Sequence, residues 1–328
     1  MTKIIGRRSI VGTALAAPML ARHGWAQSTY PNKPIRMVVP FAAAGTTDLL
    51  GRIAAEILQN AWGANVVVEN KSGAGGNVGA QAVATAPADG YTLLLGTIGT
   101  AVLNQYLYKK MPYDIATAFT PVALFGEVAN VLVVNPKVPV KTAKEYVEYC
   151  KKEGTNKVSY GTPGIGSSGQ LSMEYFKALA GFTAEHVGYR GSALVLQDLL
   201  PGNIPSAMDN LPPYLPHIQS GGLKALGVTS SKRWFALPDV PTIAEQGFDG
   251  FDAAPWWYVA APAGTPREIV QKLSEAIVKG AKSPEVIKKI RDAGAGELVG
   301  DDKELTARIK SETVKWKKVA DAAHLEPQ

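Results

Sequence analysis

Along most of the chain, short runs of hydrophobic residues alternate with longer amphipathic stretches. Residues 35–39 form an apolar run with a single arginine, which predicts a buried strand. Residues 47–62 predict a helix, because their apolar residues fall on one face: Leu50, Ile53, Ala54, Ile57 and Leu58.

The same alternation continues to the end of the sequence. Further strands are predicted at 66–68, 92–95, 131–134, 158–160, 185–189, 225–228 and 256–261. Helices are predicted at 77–85, 142–152, 168–179, 193–200, 266–279, 284–293 and 302–322. Thr142 is expected to cap its helix, with Glu145 completing a capping box, and Thr265 to cap the helix that begins at Pro266. Strands that alternate with helices are typical of α/β proteins, so the predicted class is α/β.

The 328 residues fit one large domain or two of middle size. With 46% hydrophobic and 19% charged residues, the chain has enough apolar material for a full core. No repeat, low-complexity tract or Gly/Ser-rich linker divides it. The pattern therefore favours a domain inserted within another, joined by two strand crossings.

Residues 1–26 are typical of an export signal. A basic start that includes Arg7 and Arg8 precedes an apolar run at 9–20, and small residues at Gly24 and Ala26 suit a cleavage site. The run of about 12 residues is too short to cross roughly 30 Å of hydrocarbon. We expect cleavage near Ala26 and a periplasmic mature protein; the paired arginines leave both the general secretory and the twin-arginine route open.

Charge and cysteine content narrow the function. The formal charge of +6 includes four basic and no acidic residues in 1–26, so the mature chain carries about +2. This gives no electrostatic case for nucleic-acid binding. The single cysteine, Cys150, excludes an internal disulfide, and the widely spaced histidines make a metal site unexpected.

Three loops rich in glycine and hydroxyl groups each follow a predicted strand: residues 40–48, 96–100 and 161–169. Where such a loop leads into a helix, free backbone N–H groups and the helix dipole favour a carboxylate. The alternative is an ordinary capped turn, for instance with Thr46 or Thr47 as the cap. The sequence pattern alone leaves both interpretations open.

Residues 164–169 match the spacing G-x-G-x-x-G of a dinucleotide loop. The required acidic residue at the end of the next strand is missing, because that strand ends in Gly188-Tyr189-Arg190. We therefore expect an anion-binding loop and no nucleotide cofactor. Asp209 is expected either in a cleft or capping a turn, and core packing is favoured over ligand stacking for Trp256 and Trp257.

Eight segments, in this order and spacing, resemble the periplasmic substrate-binding receptors of tripartite tricarboxylate transporters, the Bug receptors. They are residues 30–35, 39–48, 68–77, 89–94, 160–169, 189–193, 237–242 and 261–266. The resemblance covers essentially the whole mature chain. This chain departs from the family at Ala44-Gly45, where paired glycines are frequent, and at Gln170, where a histidine is frequent.

The resemblance implies a two-domain periplasmic-binding-protein fold of type II-like architecture with a hinged ligand cleft. Domain one would comprise residues 27–127 plus 254–328, and domain two residues 128–253. The ligand-binding residues carried over are Phe41, Ala44, Thr46, Thr47, Asp48, Thr97, Thr100, Ser167, Ser168 and Asp209. No cofactor is implied.

The expected function is to capture a small organic anion and deliver it to the membrane permease of a tripartite transporter. The expected ligand is a mono- or dicarboxylate, and aromatic acids are among the candidates. We expect a monomer. No nucleophile–base pair is visible, so an enzyme is not expected. Two alternatives remain: a sensory co-receptor that presents its ligand to a membrane kinase, and an exported hydrolase or lyase that uses Asp48 or Asp209 as a base.

Overall fold

The computed structural model describes residues 1–2, 30–155, 157–322 and 327. Residues 1–30 and 31–328 are separate units, and the predicted signal peptide lies almost entirely outside the described residues. Every strand and helix of the described residues belongs to the unit 31–328. Among these helices, none combines the length and apolar character needed to cross a membrane.

Strands and α-helices alternate through this unit, which confirms the predicted α/β class. The strands are β1 (Ile35–Val39), β2 (Val66–Asn70), β3 (Thr92–Thr97), β4 (Phe119–Glu127), β5 (Asn130–Val134), β6 (Ser159–Thr162), β7 (Glu185–Gly188), β8 (Ser206–Asn210), β9 (Lys224–Val228), β10 (Trp256–Pro262) and β11 (Gly296–Gly300). The helices are α1 (Thr46–Trp62), α2 (Asn77–Ala84), α3 (Ala143–Glu153), α4 (Ser168–Ala180), α5 (Ser192–Leu199), α6 (Leu211–Gln219), α7 (Arg267–Ala281), α8 (Pro284–Asp292) and α9 (Asp302–Ala322).

The strands form two sheets. The first has the order β11-β4-β10-β3-β1-β2, in which β1 pairs parallel with β2 and β3 while β10 and β11 run antiparallel to their neighbours. The second has the order β7-β6-β8-β5-β9, in which β6 pairs parallel with β7 and β8. In each sheet the parallel strands therefore end at one common edge.

In chain order, strands of the first sheet come both before and after the strands of the second sheet. The chain passes from one sheet to the other between β4 and β5 and returns between β9 and β10. The two crossings are tied together locally, because Val128 N–H in the first donates to Pro255 O in the second (3.1 Å). Division into two domains at residues 128 and 254 stays a prediction.

Most predicted elements are found with bounds within two residues, but three strands and one helix were missed. β4 contains Pro121 and Gly126, and β11 begins and ends with glycine. β8 is short and ends in Asp209-Asn210, which are residues that strands rarely use. α6 contains three prolines, two of them in its first turn where the missing N–H costs nothing. Pairing and burial override these local preferences.

One predicted cap is confirmed and another is wrong. Thr142 caps α3 by accepting from Glu145 N–H (3.0 Å), although the Glu145 carboxylate accepts from Lys141 N–H and not from Thr142. Thr265 does not cap α7. Its hydroxyl donates to Pro262 O (2.8 Å) and closes the preceding turn, and the extended backbone of Pro266 delays the helix to Arg267.

Helix α4 packs against β8 through a glycine. A Cβ atom added to Gly169 would lie 2.1 Å from the Met208 carbonyl oxygen, which is closer than any real contact. Gly169 is the last glycine of the G-x-G-x-x-G spacing. The other two, Gly164 and Gly166, have φ values of 146° and 83° that glycine tolerates. The nucleotide-like spacing thus has a structural cause in this chain.

Replacement Gly169→Ala is expected to lower the free energy of unfolding by about 1–3 kcal/mol, because the methyl group forces α4 away from β8. Urea unfolding of the mature protein measures the change. Gly222→Ala is the matched control, since an added Cβ there meets only ordinary contacts from 3.4 Å outward. Equal losses in the two variants would contradict this account.

The second sheet also buries a carboxyl group. Asp209, near the end of β8, is fully buried. It accepts from Tyr214 Oη (2.9 Å), from Asn210 N–H (2.7 Å) and from the Ser192 side chain. Burial raises the pKa of Asp209 from its ordinary 3.8 to about 7, against the lowering effect of these hydrogen bonds.

Asp209 is expected to make the protein less stable as pH rises from about 4 to 7. In this range the folded state keeps the proton that the unfolded chain releases, so stability falls by up to about 1.4 kcal/mol per pH unit. Asp209→Asn should remove this contribution. The quantity to measure is the difference in unfolding free energy between wild type and variant, because burial lowers the pKa of His186 to about 4 and gives an opposite slope. A difference that is constant from pH 4 to 7 would contradict the prediction.

Candidate ligand-binding site

A cavity of about 270 Å³ is lined mostly by residues at or after the carboxyl ends of parallel strands in both sheets. In open α/β folds this is the edge at which ligands bind. The first sheet contributes Phe41, Ala42, Ala43, Gly45, Thr46, Thr47, Thr97, Ile98, Pro255 and Trp257. The second contributes Pro163, Ser167, Ser168, Arg190, Gly191, Ser192, Ala193, Leu194 and Asn210.

Three helices begin at this cavity: α1, α4 and α5. The first amides of a helix have no partner within the helix, and its dipole places partial positive charge there. Ser167 caps α4 by accepting from Gln170 N–H (3.3 Å), whereas α1 and α5 follow glycines and no side chain caps them. Two uncapped helix starts therefore line the same small cavity.

Thr46 adds a hydroxyl group without a partner. Its side chain is only 3% exposed, and its Oγ1 makes no hydrogen bond within the described residues. The neighbouring Thr47 differs, because its Oγ1 accepts from Trp257 Nε1 (3.0 Å). An unpaired buried hydroxyl costs free energy unless a ligand or water satisfies it. Thr46 is therefore the hydroxyl that is best placed to bind an anion.

The loop before α1 is bent by a carboxylate. Asp48 accepts from Ala44 N–H (3.1 Å), from Arg52 Nε (3.0 Å) and from Asn70 Nδ2 (3.0 Å). Ala44 has φ = +65°, a conformation that favours glycine, and these bonds hold it there. Burial alone would raise the pKa of Asp48, but the hydrogen bonds from Arg52, Asn70 and Ala44 lower it below its ordinary value. Asp48 shapes the loop as an ionised group.

Ser168 belongs to an amide network. Its Oγ is placed to donate to Asn210 Oδ1 (3.2 Å) or Asn130 Oδ1 (3.3 Å), and Asn130 Nδ2 donates to Ser172 Oγ (2.9 Å). Asn210 itself lines the cavity. Ser168 therefore orients an amide side chain as well as lining the cavity.

Six of the ten carried-over residues line the cavity: Phe41, Thr46, Thr47, Thr97, Ser167 and Ser168. The other four lie outside its lining: Ala44, Asp48, Thr100 and Asp209. Thr100 is fully buried behind Thr97, where its hydroxyl lies 3.1 Å from Tyr258 Oη and also bonds to the Thr97 backbone. Which of the ten contacts the ligand stays a prediction.

Several lining residues were absent from the predicted site. Arg190, Gly191 and Ser192 lie at the start of α5, and the glycine that precedes this helix was the available signal. Asn210 reaches the cavity because β8 pairs beside β6, which the sequence did not indicate. Of the two tryptophans, Trp256 is buried in the core and Trp257 lines the cavity.

The cavity is chemically one-sided. Among the residues that line it, none is acidic and Arg190 is the charged one. Phe41, Ile98, Leu194 and Trp257 give it apolar walls. In the part of the chain that the structure describes, no group of three or more His, Cys, Asp or Glu residues is placed to hold a metal ion. The arrangement suits an organic anion with an apolar body.

Comparisons with known proteins agree with this geometry. The protein BugT of Bordetella pertussis is 35% identical over 96% of both chains. The structure of R. palustris Rpa4515 with adipate has a TM-score of 0.87 and 38% identity, and covers 91% of this chain and 100% of that one. The periplasmic binding protein BugD has a TM-score of 0.85 and 36% identity over 91% and 100% of the two chains. These neighbours confirm the periplasmic-binding-protein fold.

The model of the tripartite tricarboxylate transporter family receptor, TctC, matches residues 50–325. Within the described residues, this match includes every strand except β1 and every helix apart from the first residues of α1. The family consists of binding proteins and not of enzymes. The chain belongs to the tripartite tricarboxylate transporter receptor family.

Proposed function

We propose that the mature protein is a periplasmic receptor that binds a small organic carboxylate in the 270 Å³ cavity and delivers it to the membrane permease of a tripartite tricarboxylate-type transporter. One observation carries the proposal: the uncapped starts of α1 and α5, together with the unpartnered Thr46 hydroxyl, line a cavity without acidic residues. Adipate in the related Rpa4515 structure supports a carboxylate ligand.

In this proposal the carboxylate accepts hydrogen bonds from backbone amides at Thr46–Thr47 and Gly191–Ser192 and from the Thr46 hydroxyl. Its apolar part packs against Phe41, Ile98 and Trp257. Exclusion of water from the cavity lowers the local dielectric constant, which strengthens each of these hydrogen bonds. Closure of two hinged domains at the crossings near Val128 and Ala253–Pro255 is the proposed way to exclude that water.

Periplasmic location rests on the export signal predicted in residues 1–26 and on the related periplasmic protein BugD. Cleavage near Ala26 belongs to the proposal. A sensory co-receptor would use the same binding chemistry, and capture of a membrane kinase in place of a permease would identify it. A hydrolase would need a base at the cavity, but Asp48 and Asp209 both lie outside its lining and are hydrogen-bonded elsewhere.

An organic acid that binds should stabilise the mature protein, residues 27–328, by about 2.7 kcal/mol when its concentration is 100 times its dissociation constant. Thermal unfolding against a panel of mono- and dicarboxylates, aromatic acids included, measures this effect. Neutral sugars and simple cations serve as controls. Stabilisation by sugars or cations, with none by any acid of the panel, would contradict the proposal.

Thr46→Val should weaken binding of an acid found in that screen by about tenfold, since a hydrogen bond to a charged group is worth roughly 1.5–3 kcal/mol. Stability without ligand should stay the same or increase, because Thr46 Oγ1 has no partner among the described residues to lose. Calorimetric titration and melting of the same samples give both values.

Ser167→Ala is the matched control for Thr46→Val, because its oxygen already caps α4. We expect a loss of about 1 kcal/mol in stability without ligand. A tenfold loss of affinity in Ser167→Ala would show that its hydroxyl also contacts the ligand, as the family resemblance implies. Unchanged affinity in Thr46→Val would remove Thr46 from the site.

A further inference from the structure

A second cavity of about 510 Å³ adjoins the first. Both are lined by Phe41, Ala42, Pro163 and Arg190, so these four residues mark the junction of two compartments of one cleft. The remaining lining of the second compartment comes from residues 72–76, Tyr108, residues 164–165 and residues 188–189. A ligand bound at the helix starts has room to extend past the junction.

Arg190 lines both compartments and is the only charged residue among the described residues that line them. It is exposed, and within the described residues its side chain makes no hydrogen bond or ion pair. The other arginines of the described chain each pair with a carboxylate: Arg36 with Glu69, Arg52 with Asp48, Arg233 with Glu245, Arg267 with Asp302, Arg291 with Glu297 and Arg308 with Glu312. Among the described arginines, Arg190 therefore differs in having no carboxylate of the protein to balance its charge.

The backbone around Arg190 is fixed although its side chain is free. Tyr189 N–H donates to Thr162 O (3.0 Å), and Tyr189 Oη donates to Asp198 Oδ2 (2.7 Å). Asp198 also accepts from Asn203 Nδ2 (3.2 Å), and it forms no ion pair with Arg190 in the described structure. On the other side, Gly191 lies against Ala42 across the cleft. The backbone thus holds Arg190 at the junction, and its guanidinium group has no counter-ion among the described residues.

We propose that Arg190 is a specificity-determining residue that pairs with a second anionic group of the ligand at the junction of the two compartments. This inference rests on the proposed function, in which the first carboxylate is held by neutral donors at α1 and α5. The guanidinium group offers parallel N–H donors that match a carboxylate. Phe41 and Pro163 at the junction are apolar, so the linker between the two anionic groups should be apolar.

The test compares matched acids by calorimetric titration of the mature wild-type protein. The unbranched α,ω-diacids of four to eight carbons are each paired with the monoacid of equal length, and 1,4-benzenedicarboxylate is paired with benzoate. We expect at least one diacid to bind about tenfold or more tightly than its monoacid. The preference should shrink as salt rises, because the second charge binds at an exposed site.

Arg190→Gln should weaken binding of that diacid by about tenfold and change monoacid affinity less than about twofold, which removes the preference. Arg190→Lys should keep part of it, since a lysine retains the charge but not the parallel donors. Arg233→Gln removes an exposed arginine outside both compartments and should change neither affinity. Melting temperatures should stay unchanged in the Arg190 variants, because its side chain has no hydrogen bond or ion pair in the described structure to lose.

The outcomes separate this inference from the proposed function. Binding of monoacids as tight as that of diacids, or equal losses for both in Arg190→Gln, would overturn the role of Arg190 and leave the carboxylate receptor standing. Failure of every diacid to bind would also overturn it. The carboxylate receptor itself would be overturned only if sugars or cations, and no acid of the wider thermal panel, stabilised the protein.

Discussion

The structure depends on the way in which helices begin at the carboxyl ends of parallel strands. In a β–α unit the strand ends where the following helix exposes its free amides. The first sheet does this with β1 and α1, and the second with β6 and α4 and with β7 and α5. Since these ends line one cavity, positive potential collects there without any lysine in its lining and with one arginine at its edge.

The bend between β1 and α1 has a conformational cost, and side-chain hydrogen bonds offset this cost. Ala44 takes a left-handed conformation that glycine would adopt freely. The Asp48 carboxylate, held by Arg52 and Asn70, accepts from the Ala44 amide and fixes the bend. Asp48, which the sequence suggested as a base or a ligand contact, thus fixes the shape of the loop. The loop in turn leads into α1 at Thr46.

The sequence predicted those parts that local patterns determine. Apolar periodicity located most strands and helices, and hydroxyl-rich loops after strands located the cavity wall formed by residues 41–43, 45–47, 163 and 167–168. Asn210 and Arg190 were missed as lining residues, because their positions depend on β8 pairing beside β6 and on α5 beginning one residue earlier than predicted. Thr100 and Asp209 have the right chemistry, but tertiary packing turns both into the interior.

In the proposed binding mode, neutral donors hold the first carboxylate and one peripheral charge, Arg190, meets the second anionic group. A buried cation would have to lose its hydration on each ligand exchange, and its pairing energy often fails to repay that cost. Amides and a hydroxyl that are already in place hold a carboxylate without this penalty. Asp209 lies directly behind the same wall, through its bonds to Ser192 and Asn210. As an anion it would oppose the ligand charge, and a pKa near 7 lets it hold a proton in mildly acidic solution. On this proposal, selection between anions falls to the apolar walls and to Arg190. Arg190 is exposed and keeps its hydration, so a ligand of the wrong charge or length would lose affinity there without disturbing the inner site.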